Sequence, residues 1–170
     1  MRHTILFLLR TYNDIDHITP VIWKTVTAGW PTYILFVHDN FKDDYRIQFV
    51  VKHGAKLVRS APIEWYHRRL RKSLIFSHTV SGIFDRLVSY SLGSNLLRRH
   101  RIEVVVNEWS GAIGREMAIY VLRSARLLGI QIYSLPHGYF LWRNSLFNRQ
   151  LTQFYKTNGH FPDFTERNSF

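Results

Sequence analysis

The chain has 170 residues and a mass of 20.3 kDa, which favours a single domain over a complete multi-domain enzyme. A hydrophobic content of 46% argues against intrinsic disorder, and the lack of cysteine excludes disulfides, thiolate metal sites and a cysteine nucleophile. Lysine and arginine number 23 against 12 acidic residues, and the resulting net charge of +11 predicts an acidic partner such as a nucleic acid, an anionic bilayer or a phosphorylated substrate.

The sequence contains no segment typical of membrane insertion or secretion. The apolar residues 5–9 are interrupted by Arg10, and the run is far shorter than the roughly 20 residues that span a bilayer. No small-residue cleavage site follows an apolar region of signal-peptide length. We therefore expect a cytoplasmic protein whose membrane contact, if any, is peripheral on the inner face of the plasma membrane.

Short apolar runs alternate with helical patterns along the chain, which is typical of βαβ units. Helices are predicted from the region of Asp14 to Gly29, over residues 45–53, over a long or broken stretch at 64–101 with a kink at 81–82, and up to Gly129. The pattern predicts an α/β fold, a parallel sheet with helices on both faces. The five predicted strands are residues 4–9, 33–37, 56–58, 102–106 and 130–135.

Residues that follow the strands are the first candidates for function, because ligands of parallel sheets bind outside the carboxyl ends of the strands. The last strand runs into Pro136, His137 and Gly138. The imidazole titrates near neutrality and suits proton transfer or phosphate contact, while glycine allows close approach of the backbone. His137 is therefore a candidate catalytic residue and Gly138 a candidate substrate-binding residue. The structural alternative is a histidine bonded to a turn carbonyl.

A second candidate turn follows the fourth predicted strand. It contains Asn107 and Glu108, and then the small residues Ser110 and Gly111 at the start of a helix, where backbone N–H groups can hold a phosphate. A helix cap and tight packing would use the same small residues. Glu108 is the nearest carboxylate to partner His137, so it is a candidate catalytic residue. Asn107, Ser110 and Gly111 are candidate substrate-binding residues.

Two aspartates and a histidine follow the first strand. Asp14 and Asp16 show the spacing with which some enzymes hold a nucleotide-sugar through a divalent cation, although first-turn acids also favour a helix N-terminus. Asp14 and His17 are candidate substrate-binding residues. None of the nine histidines forms an i, i+4 pair beside a glutamate, so we predict neither a metal site nor a cofactor.

The positive charge is concentrated in residues 64–101, where eight basic residues oppose two acidic ones. Aromatic and aliphatic residues alternate with the first basic cluster, which suits an interfacial segment on anionic lipid. A nucleic-acid surface is a rival interpretation, and a solvated helix face is the structural alternative. The candidate membrane-binding residues are Trp65, Arg68, Arg69, Arg71 and Lys72.

Four segments together resemble the amino-terminal half of bacterial surface-carbohydrate biosynthesis proteins: residues 5–10, 14–22, 107–109 and 134–138. Those proteins are similar in layout to two-domain GT-B glycosyltransferases, to CDP-glycerol glycerophosphotransferases and to the UDP-N-acetylglucosamine 2-epimerase fold. The resemblance covers roughly residues 1–147 and is most specific at residues 136–138.

The resemblance implies a Rossmann-like acceptor-side domain at residues 1–143, and an irregular tail at 144–170 that would begin a second Rossmann-like domain. It implies transfer of a sugar or glycerol phosphate from a nucleotide-sugar or CDP-glycerol donor to a membrane-associated acceptor, in surface polysaccharide synthesis. His137 would be the base. The alternative is a non-enzymatic basic module that binds an anionic membrane or a nucleic acid.

Overall fold

The fold is an α/β sheet with helices on both faces, as predicted. The computed structural model describes residues 2–37, 41–70, 78–109 and 117–136. Within these ranges, a five-stranded parallel sheet has the order β3-β2-β1-β4-β5. The strands are β1 (Ile5–Leu9), β2 (Thr32–Phe36), β3 (Lys56–Val58), β4 (Val104–Trp109) and β5 (Gln131–Pro136).

The helices connect the parallel strands as crossovers. Two π-helical turns lie between the α-helices, at Tyr66–Leu70 and Ser89–Gly93. We call them the first and second π turns. The α-helices are α1 (Tyr12–Thr27), α2 (Tyr45–Lys52), α3 (Ala61–Trp65), α4 (His78–Val88), α5 (Ser94–Arg99) and α6 (Ala118–Leu127).

Local chemistry explains where the first two helices begin and end. At the start of α1, Asp14 accepts hydrogen bonds from the Thr11 hydroxyl at 2.8 Å and from the Thr11 N–H at 3.2 Å. Asp44 caps α2 by accepting the Arg46 N–H at 2.9 Å. The predicted stops at Gly29, Gly54 and Gly129 are confirmed, since each has a positive φ that suits glycine.

The two faces of the sheet carry separate cores because neighbouring side chains of a strand point to opposite faces. On one face, residues such as Phe7 and Val106 pack with Ile15 and Ile18 of α1. We call this the α1 face. On the other, residues such as Leu8 pack with the π turns, α5 and α6. We call this the α6 face. Both faces of the central strands are buried, which accounts for their continuous apolar sequences.

The long helical region departs from the prediction at its kink. Gly82 lies inside the regular helix α4, and a Cβ added to it would meet no atom within 4 Å, whereas the backbone changes geometry at Ser89–Gly93. A Cβ on Gly93 would lie 2.0 Å from Ser124 Oγ and 2.7 Å from the Tyr120 carbonyl oxygen. Glycine therefore allows the second π turn to approach α6 closely.

Two further differences concern burial and strand length. The three- and four-residue spacing of apolar residues such as Phe84 and Leu87 predicted the long helix, but these two side chains of α4 are 43% and 55% exposed. The fourth strand ends at Trp109 rather than at residue 106, so Asn107 and Glu108 lie within β4 and pair with β5. The apolar pattern stops at Val106, so the predicted strand ends too early. In the structure, β4 continues with buried polar residues.

Candidate functional site

The candidate site lies where the strand order of the sheet reverses. β1 has β2 on one side and β4 on the other, which makes the gap between β1 and β4 the topological switch point of the sheet. Ligands of such sheets bind in the crevice outside the carboxyl ends at this point. Arg10 directly follows β1, and Asn107 and Glu108 lie near the carboxyl end of β4. Residues at the carboxyl ends of both strands therefore meet at the position where parallel sheets of this kind bind ligands.

A buried charge cluster joins the two strands to α1. The Arg10 guanidinium donates a hydrogen bond from Nη2 to Glu108 Oε2, and Arg10 Nε lies 3.7 Å from Asp14 Oδ2. The backbone N–H of Arg10 also donates to Asp14 Oδ2 at 2.6 Å. All three side chains are almost fully buried. We call Arg10, Asp14 and Glu108 the charge cluster. It holds two carboxyl groups around one guanidinium, away from bulk water.

The electrostatics of the charge cluster favour a proton on Glu108. Burial raises the pKa of Glu108 from its ordinary value of 4.5 to about 7, and the neighbouring Asp14 carboxyl adds to this rise, while Arg10 opposes it. A carboxyl with a pKa near neutrality exchanges its proton at physiological pH, which is the property of general acids and bases. The sequence indicated Glu108 as a candidate residue, but it did not indicate its partner Arg10.

Asn107 lies on the other face of the sheet. It is in register with Leu8 of β1 and Ser134 of β5, and alternation along β4 directs it to the α6 face, opposite Glu108. Asn107 is fully buried, and within the described ranges neither its Oδ1 nor its Nδ2 has a hydrogen-bond partner. Leaving a buried polar group unsatisfied costs about 1–3 kcal/mol, so such a group calls for an explanation.

A second polar cluster on the α6 face was missed by the sequence analysis. Asp85 of α4 accepts hydrogen bonds from the hydroxyls of Tyr66 and Tyr120, both at 3.0 Å. The ring of His67 lies 5.9 Å from that of Tyr120. The three bonded residues are buried. The only signal in the sequence is an aspartate among the apolar residues of a helix, and its partners come from distant segments.

The structure locates some of the predicted site residues and not others. Asp14 and Glu108 belong to the charge cluster, Asn107 lies on the opposite face, and His17 is exposed on the second turn of α1. The remaining candidates lie outside the described residues: His137, Gly138, Ser110 and Gly111. Their roles stay predictions, as does the tail at 144–170.

The basic region is partly described. Arg68 and Arg69, on the first π turn, are exposed, and Trp65 at the end of α3 is 57% exposed. Arg71 and Lys72 lie outside the described residues. On α4 and the second π turn, apolar side chains at helical spacing are exposed to solvent. They are Ile83, Phe84, Leu87 and Tyr90, which we call the apolar stripe.

The described residues form neither a metal-ligand cluster nor a membrane-spanning helix. In the ranges that the structure covers, no three His, Cys, Asp or Glu side chains are grouped so that they could hold a metal ion. No helix within those ranges is long and apolar enough to cross a bilayer.

The chain is distantly similar to solved structures. No family model matches the chain, and no curated protein matches it. Among solved structures, the chain is similar to the glycosyltransferase SnogD from Streptomyces nogalater, with a TM-score of 0.44 and 14% identity over 94% of this chain. The chain spans 41% of the length of that protein. The α/β fold stands on the observed strand order itself.

Proposed function

We propose that the chain is the acceptor-side domain of a glycosyltransferase-like protein of surface polysaccharide synthesis. It would transfer a sugar or glycerol phosphate from a nucleotide-sugar or CDP-glycerol donor to a membrane-associated acceptor, with a second Rossmann-like domain holding most of the donor. The observation that carries the proposal is the buried charge cluster at the switch point between β1 and β4. The motif resemblance around residues 107–109 and 134–138 supplies the reaction class.

In the proposed reaction, an acceptor hydroxyl attacks the transferred carbon or phosphorus and the nucleotide leaves. His137 takes the hydroxyl proton, because a neutral hydroxyl is a weak nucleophile. Glu108 acts as a positioning residue that orients His137 or the hydroxyl, since Arg10 and Asp14 hold it in a fixed buried place. The turn with Ser110 and Gly111 after the fourth strand, and the turn with Gly138 after the fifth, would contribute backbone contacts to a phosphate-bearing ligand.

A binding and transfer assay on the full chain tests this proposal. Nucleotide-sugars and CDP-glycerol are titrated by calorimetry, and nucleotide release is followed with a lipid-linked acceptor. We expect His137→Ala to weaken donor binding or transfer by at least about tenfold, or 1.4 kcal/mol, at an unchanged melting temperature. His53→Ala is the matched control, since His53 is exposed at the end of α2 that leads into β3.

The positioning role of Glu108 has its own readout. Glu108→Gln should shift the pH profile of transfer, because it removes a carboxyl that titrates near pH 7. A variant with normal folding, normal transfer and an unchanged pH profile would refute the role of Glu108. If a well-folded wild-type chain binds no donor and releases no nucleotide, the transferase proposal fails for this chain.

A second candidate function is a basic module that binds membranes or nucleic acid. The apolar stripe favours an anionic membrane over a nucleic acid, because its aliphatic members, Ile83 and Leu87, insert among acyl chains but neither pair with phosphates nor stack on bases. Arg68 and Arg69 would contact the anionic headgroups. Arg71, Lys72 and Trp65 complete the proposed surface.

A competition experiment distinguishes membrane binding from nucleic-acid binding. The chain is mixed with anionic liposomes and single-stranded RNA at one ionic strength, since both partners depend on salt. We expect liposomes to displace the RNA, and Leu87→Glu to lower liposome binding while RNA binding is unchanged. RNA binding that persists against excess liposomes would favour the nucleic-acid interpretation.

A further inference from the structure

The amide of Asn107 is a recognition group without a described partner. It lies at the carboxyl end of β4, it is fully buried, and neither its oxygen nor its nitrogen has a hydrogen-bond partner among the residues that the structure describes. An amide of this kind offers one acceptor and two donor hydrogens in a single plane. A ligand that satisfies it must therefore both donate and accept hydrogen bonds at neighbouring atoms.

The surroundings of Asn107 indicate that the ligand group bound to its amide is neutral. Its neighbour in register on β5 is Ser134, whose hydroxyl also donates and accepts and which is exposed. Its neighbour on β1 is the aliphatic Leu8. Arg10, the cation that follows β1, is paired with Glu108 and Asp14. Glu108 lies on the α1 face, opposite Asn107. A charged ligand group would have no counter-charge in register with Asn107.

The same neighbours argue against a nucleobase. Bases are bound mainly by stacking on aromatic rings, and the residues in register with Asn107 are a leucine and a serine. The tyrosine rings of the α6 face, Tyr66 and Tyr120, are buried in the core with their hydroxyls bonded to Asp85. Hydroxyl groups need no stacking platform. Two adjacent hydroxyls supply a donor for Oδ1 and an acceptor for Nδ2, and a third polar contact is available from Ser134.

We propose that Asn107 and Ser134 bind a vicinal diol, the pair of adjacent hydroxyls of a sugar or a glycerol unit, on the α6 face of the sheet. The site is separate from the charge cluster, because Asn107 and Glu108 point to opposite faces of β4. Ser134 lies at the solvent side of the pair, so the diol enters past it. The choice of a sugar or polyol rests on the proposed transferase function. The donor and acceptor pattern itself rests only on the geometry.

Two matched ligand pairs test the proposal on the full chain. Glycerol phosphate is compared with 3-hydroxypropyl phosphate, which lacks the middle hydroxyl, and methyl mannoside with 2-methoxy-6-hydroxymethyl-tetrahydropyran, which lacks the ring hydroxyls. Binding is followed by NMR titration of the Asn107 side-chain amide resonances. We expect a saturable shift with at least one diol and a response at least about tenfold weaker with its matched analogue. The two pairs distinguish a glycerol unit from a sugar.

Variants of Asn107 test whether its side-chain amide binds the diol. Asn107→Leu should abolish diol binding, followed by calorimetry, without lowering the melting temperature, because replacing an unpaired buried amide by an apolar group of similar size is not destabilising. Asn95→Ala, on the exposed side of α5, is the control and should bind like the wild type. Asn107→Asp keeps an acceptor and loses the donor, so it should bind more weakly than the wild type.

The outcomes separate this proposal from the transferase proposal. Equal binding of diol and analogue, unchanged binding by Asn107→Leu, or no saturable binding of any of the four compounds would overturn the diol site. Loss of donor binding or transfer in His137→Ala with diol binding retained would support both proposals. Diol binding in a chain that neither binds nor cleaves a nucleotide donor would leave the diol site standing and refute the transferase.

Discussion

Replacing Glu108 by glutamine tests the electrostatics of the charge cluster through stability. The carboxyl titrates at 4.5 when exposed and at about 7 in the folded chain, so the folded state binds its proton more tightly. The stabilisation is complete below pH 4.5 and is lost as the pH rises through 7. Glutamine has no proton to lose, and Glu108→Gln should therefore abolish this part of the pH dependence.

The size of the effect follows from the two pKa values. A difference of about 2.5 units at 1.36 kcal/mol per unit gives about 3 kcal/mol across this pH range. For a domain of this length, roughly 2–4 °C per kcal/mol converts this to a shift of about 6–12 °C. Glu108 is almost fully buried, so solvent screening reduces the value little.

The assay is thermal and urea denaturation of the wild type and of Glu108→Gln between pH 4.5 and 8. Asp43→Asn removes an exposed carboxyl of equal charge and serves as the control, with a pH profile parallel to that of the wild type. We expect the wild type to lose stability relative to Glu108→Gln as the pH rises. Parallel profiles for the wild type and Glu108→Gln would refute the idea that burial beside Asp14 raises the pKa of Glu108.

Three further predictions concern single contacts and are checked by denaturation. Arg10→Met leaves buried carboxyl groups without their cation and should cost about 3–5 kcal/mol, part of which Glu108→Gln should restore in the double variant; a cost below about 1 kcal/mol would contradict the buried pair. Gly93→Ala places a Cβ 2.0 Å from a serine oxygen and should cost about 1–3 kcal/mol, whereas Gly82→Ala, in open space, should be neutral or stabilising; equal effects would refute the close approach. Asp44→Ala removes a helix cap and should cost about 1 kcal/mol at neutral pH. Because Arg46 lowers the pKa of this carboxyl, its contribution is present above pH 3.8 and is lost as the pH falls through the lowered pKa, so the cost should disappear in acid.

The fold could be predicted because its strands are buried on both faces. Residues 5–9 and 104–106 are apolar without interruption, a pattern typical of central parallel strands, and glycines mark the helix ends between them. The end of β4 could not be predicted, since Asn107 and Glu108 are polar but buried. Their burial depends on β1 and β5, which are distant in sequence, so no local pattern reveals it.

The candidate site was predicted in its position but not in its arrangement. Strand ends indicated Glu108, Asn107 and Asp14 correctly as residues near the carboxyl edge. Sequence alone did not show that Asn107 and Glu108 face opposite sides of the sheet, because that depends on the length of the strand. It also gave no role to Arg10, whose interaction with Glu108 links residues that are 98 positions apart. Charge pairs of this kind arise only when two strands become neighbours.

The strand order also bears on how the protein behaves in concentrated solution. Within the described part of the chain, β5 is a terminal strand of the sheet, and its side chain Tyr133 is 55% exposed. An open strand edge has free backbone donors and acceptors and pairs readily with another extended chain. The net charge of +11 keeps such edges apart by repulsion, which salt screens over about 10 Å at 0.1 M. Added salt should therefore promote self-association of this protein, and its colloidal stability should be greatest in dilute buffer.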